Sequence, residues 1–367
     1  AMNAVHNANA SSPAIGNMIG RQTGLMGTDA LNFTGKAAIG VVDANGVLKD
    51  RLSIDFGAGT ITSALSASTY SFAGGTIADL ATALNSALGA EVPAGSASFA
   101  NGILSLDAGN GGGLVVQQDA ATPSDRAGRG FSHFFGLNDL VSSPAPLFFD
   151  NGIQGSDTLG FAAGGQIDYQ VRDTSGRLIA NRSIAISGPL AAPTATWDDL
   201  LSALNATGTG LGDYGAFSRD AATGKISFAA NPRFQATLTA DTTLRGGTGV
   251  SFSALNGLSQ TWTAGRALST NVNDLIGADP ARLAVGNPDL NAALGTTIIE
   301  GGDNRGAAAL VSARDSIRSF SAAGALTPQR TTLGIYASRL GGEAGRLASD
   351  ARRNADGAAA VAAAASD

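Results

Sequence analysis

Few side chains in this chain of 367 residues are of the types that do chemistry. There are two histidines, His6 in the opening AMNAVHNANA and His133 inside FSHFFGL, and there is no cysteine. A histidine beside a serine and an aspartate can act as the base of a nucleophilic triad. No GxSxG elbow accompanies either histidine. His133 also falls in a motif that recurs later with Ala254 near its place, so packing accounts for it. The lack of cysteine removes thiol nucleophiles, zinc thiolate sites and disulfides together.

Two turns, DANG at Asp43–Gly46 and DTSG at Asp173–Gly176, resemble the start of a calcium loop. Asp55 and Ile184 stand near the place where the bidentate glutamate of such a loop belongs, so a hairpin turn is the better reading of both. GNGGG (Gly109–Gly113) and GGDNRG (Gly301–Gly306) lack the GK[ST] of a phosphate loop and the spacing of a dinucleotide fingerprint. Asp79 and Asp199 form an acidic pair on paper. Each stands at the third position of an expected helix, where the dipole and the cap explain it. Trp197 and Trp262 could stack a sugar ring; packing beside a helix start and a strand end is the simpler role. Tyr336, on the last helix, is read as packing too. No acid, base and pocket converge. The expectation is a protein that is not an enzyme and holds no cofactor or metal.

The elements that carry these residues are organised around a stretch that occurs twice. It reads TIADLATALN at Thr76–Asn85 and TWDDLLSALN at Thr196–Asn205. Thr followed three residues later by Asp is a capping-box pattern. Apolar residues follow at helical spacing: Ile77, Leu80, Leu84 and Leu88, then Trp197, Leu200, Leu201 and Leu204. Each predicts a short helix with one apolar face, too short to stand alone in water.

Strand patterns flank both helices. AAIGVVD, the DANG turn and VLKDRLSIDF predict a hairpin before the first helix, and QIDYQVRD, DTSG and RLIANRSIAI predict one before the second. After the first helix come strands at Ser96–Phe99 and Ile103–Leu106 joined by Asn101-Gly102, a type I′ signal. GAFSRD and KISFAA follow the second helix, with a turn at Thr223-Gly224. The units close with FSHFFGLNDL and FSALNGL. Matched positions, such as Asp43 with Asp173 and Phe131 with Phe252, keep an offset of roughly 120 to 130 residues, the mark of a duplicated β-β-α-β-β unit.

Past Gln260 the pattern turns helical. Asn304–Phe320 predicts a helix with Leu310, Val311, Ala313 and Ile317 on one face. Thr327-Pro328 is read as the start of the last helix, with Pro at its first position. Leu333, Leu340 and Leu347 repeat every seven residues, each followed four later by Ala337, Ala344 and Ala351. This Leu/Ala heptad seam suits close packing on a partner helix, and these six residues are the expected assembly site.

Composition bounds the partners. The net charge of −6, with only Lys36, Lys49 and Lys225 as lysines, and a pI near 4.9 argue against nucleic acid or an anionic membrane. No apolar run reaches the length of a membrane span. The start lacks the basic and apolar regions of a secretory signal peptide. Both ends read as cut, with Asn3–Ala10 as the frayed tail of a helix.

The modules and the segments FFGLNDLV (Phe134–Val141), NVNDLIGADPARLA (Asn271–Ala284), GDNRGAAALVSARD (Gly302–Asp315) and TLGIYASRLGGEAG (Thr332–Gly345) occur in an order that resembles the hook-associated protein 1 family. That family forms the hook–filament junction of the bacterial flagellum. The resemblance implies an α+β multidomain protein. Its helical inner domain carries a long C-terminal helix, and two duplicated modules project from it. It places an N-terminal arm at 1–34 (part of the inner domain), modules at 35–145 and 150–262, and a return segment with the helical domain at 263–367.

The resemblance further implies a structural adapter exported unfolded by the flagellar type III system and located outside the cell. Its partners would be like subunits, the hook protein, the second junction protein (hook-associated protein 3) and an export chaperone, with no membrane insertion. The family's terminal polymerisation helices are not in this sequence, and it stops before the family's closing SGVNLDEE-type segment. Sibling readings are hook-associated protein 3 or a flagellin-like axial protein; a glycan-binding adhesin is the reading from another class.

Overall fold

The structure, a computed structural model, describes residues 4–5, 17–91, 95–109, 112–137, 139–258, 270–280, 283, 285–299, 301–320, 322 and 325–365. His6 and Trp262 lie outside the described residues. The fold is mixed α and β, with several small antiparallel sheets and a long C-terminal helix. It divides into two compact units, Ala1–Asp303 and Asn304–Asp367.

In the first unit, strands β1 (Ala4–Val5), β2 (Asn17–Ile19), β3 (Lys36–Val42), β4 (Leu48–Asp55), β5 (Thr60–Ser63) and β6 (Thr69–Ser71) precede helix α1 (Ile77–Glu91). Then come β7 (Ser96–Ala100), β8 (Ile103–Asp107), β9 (Gly113–Gln118), α2 (Phe131–Phe135) and β10 (Val141–Ser142). The sheet order β1-β9-β3-β4-β5-β6 makes the main layer, and β2-β8-β7 a smaller one. Ala4–Val5, expected as helix, instead pair with Val115 and Val116 at the sheet edge. Strand β4 alternates buried Leu48, Leu52 and Ile54 with outward residues, the period of two that covers one face of a sheet. Asn101 and Gly102 turn β7 into β8 with φ of 53° and 79°, the left-handed pair of a type I′ turn.

The second half continues with β11 (Gln166–Asp173), β12 (Leu178–Ala185), α3 (Trp197–Leu204), β13 (Gly215–Arg219), β14 (Ile226–Ala230), β15 (Phe234–Asp241) and α4 (Phe252–Asn256). Its sheets are β12-β11-β15 and β13-β14. Beyond it, β16 (Asn271–Val272) pairs with β10 and leads into α5 (Asp274–Ala278). One connected apolar core runs from Met18 to Leu255 through both halves.

Both short helices owe their starts to the same set of bonds. The Thr76 hydroxyl accepts the Asp79 amide at 3.2 Å, and Asp79 Oδ2 accepts the Thr76 amide at 3.0 Å. Thr196 and Asp199 repeat this at 3.3 and 2.8 Å. The two amides before the capped one go to loops far back in the chain. Ile77 and Ala78 donate to the carbonyls of Asp29 and Gly27; Trp197 and Asp198 donate to those of Asp157 and Gly155. Orphan donors at a helix start are thereby satisfied without water. The apolar face then seals the core: Ile77, Leu80, Leu84 and Leu88 are buried, as are Trp197, Leu200 and Leu204.

The hairpin tips differ. Asp43 Oδ1 accepts the amides of Asn45 and Val47, and Asp43 pairs with Lys49 at 2.9 Å. Asp173 does the same for Ser175 and Arg177. These carboxylates close turns. The segment at 290–299 covers the first tip, where the Leu48 amide donates to Thr296 and the Ile298 amide donates to Gly46. Leu48 is buried there with Val42, Val115, Leu290 and Ile298. Gly46 (φ 73°) abuts the backbone of Ile299, whereas nothing stands against Gly176 (φ 84°), and Leu178 is exposed.

In the second unit, helix α6 (Arg305–Asp315) ends five residues earlier than its sequence pattern suggests. Strand β17 (Arg318–Phe320) then pairs with β18 (Gln329–Thr331), so Ile317 leaves the helical face. The same pairing holds Gln329–Thr331 extended and moves the start of helix α7 (Leu333–Ala364) past Pro328. Thr332, not Thr327, is its cap, accepting the Ile335 amide at 3.4 Å.

Two substitutions separate capping from burial. Thr76→Ala is expected to cost about 1 kcal/mol and Leu84→Ala about 2–5 kcal/mol in urea denaturation. A pH series adds a sign. Asp79 is held below the usual carboxylate range first by the Thr76 hydroxyl and then by its amide. A depressed carboxylate stabilises the fold above its unfolded pKa and loses that contribution as pH falls through the folded one. The gap between wild type and Asp79→Ala is therefore expected to be open at neutral pH and to close in acid.

Candidate assembly site

Helix α7 carries the six seam residues on one side. At 3.6 residues per turn, Leu333, Ala337, Leu340, Ala344, Leu347 and Ala351 fall within an arc of roughly 80°. The three leucines are 52, 46 and 52% exposed, and the three alanines are exposed as well. No residue of α7 or α6 is buried. Fully burying one leucine side chain is worth roughly 1.5–3 kcal/mol, so covering the seam would stabilise a helix pair.

Charges line the flank beside the seam. Arg346 pairs with Glu343 at 2.6 Å and with Asp350 at 2.7 Å, and Arg353 also pairs with Asp350. The Arg346 hydrogen bond, the largest cause, holds Glu343 below its ordinary range. A Leu/Ala stripe edged by paired charges is the pattern of a helix that meets another helix. Tyr336 stacks on Phe320 with ring centroids 4.1 Å apart. That ring pair ties the start of α7 to strand β17.

The other candidates are structural in their surroundings. Trp197 is 1% exposed, stacked on Phe252 and edge-on to Phe161, with Arg245 over its ring at 5.4 Å. Neither face is open to a sugar. His133 lies edge-on to Phe148 at 5.3 Å. Burial first, then Arg21 and Arg129, hold its pKa below the ordinary value; a triad base would need a carboxylate acting in the opposite direction. Asp79 and Asp199 cap separate helices and form no shared site. Among the described residues, no three His, Asp or Glu side chains group to hold a metal ion. No described helix is long and apolar enough to cross a membrane.

Within the expected N-terminal arm at 1–34, one stretch has a role that no periodic pattern in the sequence signals. GLMGTDALNF (Gly24–Phe33) matches GIQGSDTLGF (Gly152–Phe161) nearly position for position. Both are the loops that receive the helix-start amides. The signal was self-similarity outside any periodic element, at the spacing that relates the rest of the two halves. No protein-family model and no curated protein matches this chain.

Since the α7 leucines are about half exposed and no α7 residue is buried, Leu340→Ala is expected to change the unfolding free energy of this chain by less than about 0.5 kcal/mol. Far-UV circular dichroism should show no loss of helix. A drop of about 2 kcal/mol or more would instead reveal a buried contact.

Proposed function

We propose that this chain is the core of a flagellar junction adapter, with a structural rather than a catalytic role. The exposed heptad seam of α7 is the observation that carries it. A chain that acted alone would leave three regularly spaced leucines wet, whereas an assembly protein covers them with a neighbouring helix. Further support comes from the order of FFGLNDLV, NVNDLIGADPARLA, GDNRGAAALVSARD and TLGIYASRLGGEAG, which resembles the hook-associated protein 1 family.

On this reading the seam pairs with the N-terminal helix of the parent protein, in the inner layer of the flagellum. The α+β body projects outward and meets like subunits, the hook protein and the second junction protein. The parent is exported unfolded by the flagellar type III system with the help of a chaperone. The body is a duplicated module: the twin capping boxes, the twin loops and the paired contacts of Asn85 with Ala97 and Asn205 with Phe217 support that origin. Burial of Trp197 weighs against the adhesin reading.

The test uses the parent protein in a motile cell. A cell lacking it is expected to make hooks and to secrete flagellin without building filaments; normal filaments would overturn the assignment. Changing Leu333, Leu340 and Leu347 together to Asp should leave the parent secreted but unable to restore filaments.

A further inference from the structure

The two loops of the first unit are joined by arginines that cross between its halves. Arg245, beside α4 in the second half, donates from Nε to the Leu159 carbonyl at 3.1 Å and from Nη2 to the Thr158 carbonyl at 2.9 Å, both in its own loop. The same guanidinium reaches the other loop. Nη1 meets the Gly24 carbonyl at 2.9 Å, and both Nη atoms grip the Asp29 carboxylate at 2.7 and 2.6 Å. Arg126, before α2 in the first half, crosses in the other direction, through backbone carbonyls alone. Its Nη1 donates to the Ala30 and Leu31 carbonyls of its own loop, and its Nε reaches Asn151 at 3.1 Å, next to the opposite loop.

The loops also bond directly. The Asn32 side-chain Nδ2 donates to the Gly152 carbonyl at 3.3 Å. Each arginine lies over an aromatic ring of its own half, Arg126 over Phe134 at 5.0 Å and Arg245 over Trp197 at 5.4 Å. An arginine of each half thus reaches across to the other half, an arrangement that approximates a two-fold interface without repeating it residue for residue. Here both sides belong to one chain. Arg245 and Asp29 have no exposed side-chain surface, and Arg126 is 1% exposed.

The geometry points to a reciprocal arginine clasp that makes the two halves of the first unit a single cooperative body with no hinge between them. Opening either half strands a buried charge in the other. Breaking one partner of such a pair is far costlier than never having built it, so neither half opens alone. The clasp stands on contacts of the present chain and needs neither the adapter reading nor the duplication.

Native-state hydrogen exchange of the intact chain under rising urea tests this. The slowest amides of α1 and α3 are expected to merge into one isotherm with a common free energy and urea dependence. Two separate isotherms, one for each half, would overturn the clasp. Asp29→Asn, which keeps the size of the side chain, gives a second readout. It is expected to speed exchange of the Leu159 amide, across the clasp, on the order of 100-fold or more, along with that of Leu31. Acceleration confined to residues 24–137 would also overturn it. The wild-type isotherms remain decisive even where the variant fails to fold.

Discussion

A guanidinium and a carboxylate with no access to water dominate the first unit. Moving both out of solvent costs several kcal/mol per ion, and their attraction repays it only with near-ideal geometry and every remaining bond satisfied. Arg245 meets that demand with Asp29 and three backbone carbonyls. The demand propagates outward. Three carbonyls at fixed positions require Gly24, Thr158 and Leu159 to be held in place, and those residues lie in the loops that also start the two helices. The charge pair, the helix starts and the apolar faces beneath them thus depend on one another.

The two units solve opposite problems. The first encloses its apolar side chains in a connected core, and its buried Arg245–Asp29 pair is bonded through loops. In the second, neither helix buries a residue, and α7 keeps its order through its cap, its ion pairs and the Tyr336–Phe320 stack. On the proposed adapter reading, the first unit would hold shape and the second would offer its exposed leucines to a neighbour.

Local order was legible in the sequence. Capping boxes, hairpin turns and the heptad stripe each depend on residues a few positions apart, and each appears where its pattern lies. What failed to show was long-range. The helix through Ile317 and the helix start at Pro328 were displaced by one antiparallel pairing between Arg318–Phe320 and Gln329–Thr331, which no local propensity encodes. Arg126 and Arg245 look like surface residues in glycine-rich turns, because sequence alone does not say what a long side chain will reach. The candidate seam was readable for the converse reason: a stripe on a single helix needs no distant partner to be seen.

The hairpin tips at Gly46 and Gly176 have the same turn chemistry and different company. The first is pinned under Ile299 and bonded at the turn and at the start of β4 by the segment at 290–299, while the second stands clear. An added peptide at the first would have to displace a packed segment from Leu48 and its neighbours. At the second it would meet only solvent. The tip at 174–176 is therefore the natural place for this body to accept inserted sequence, and for variation in length between otherwise similar chains to accumulate.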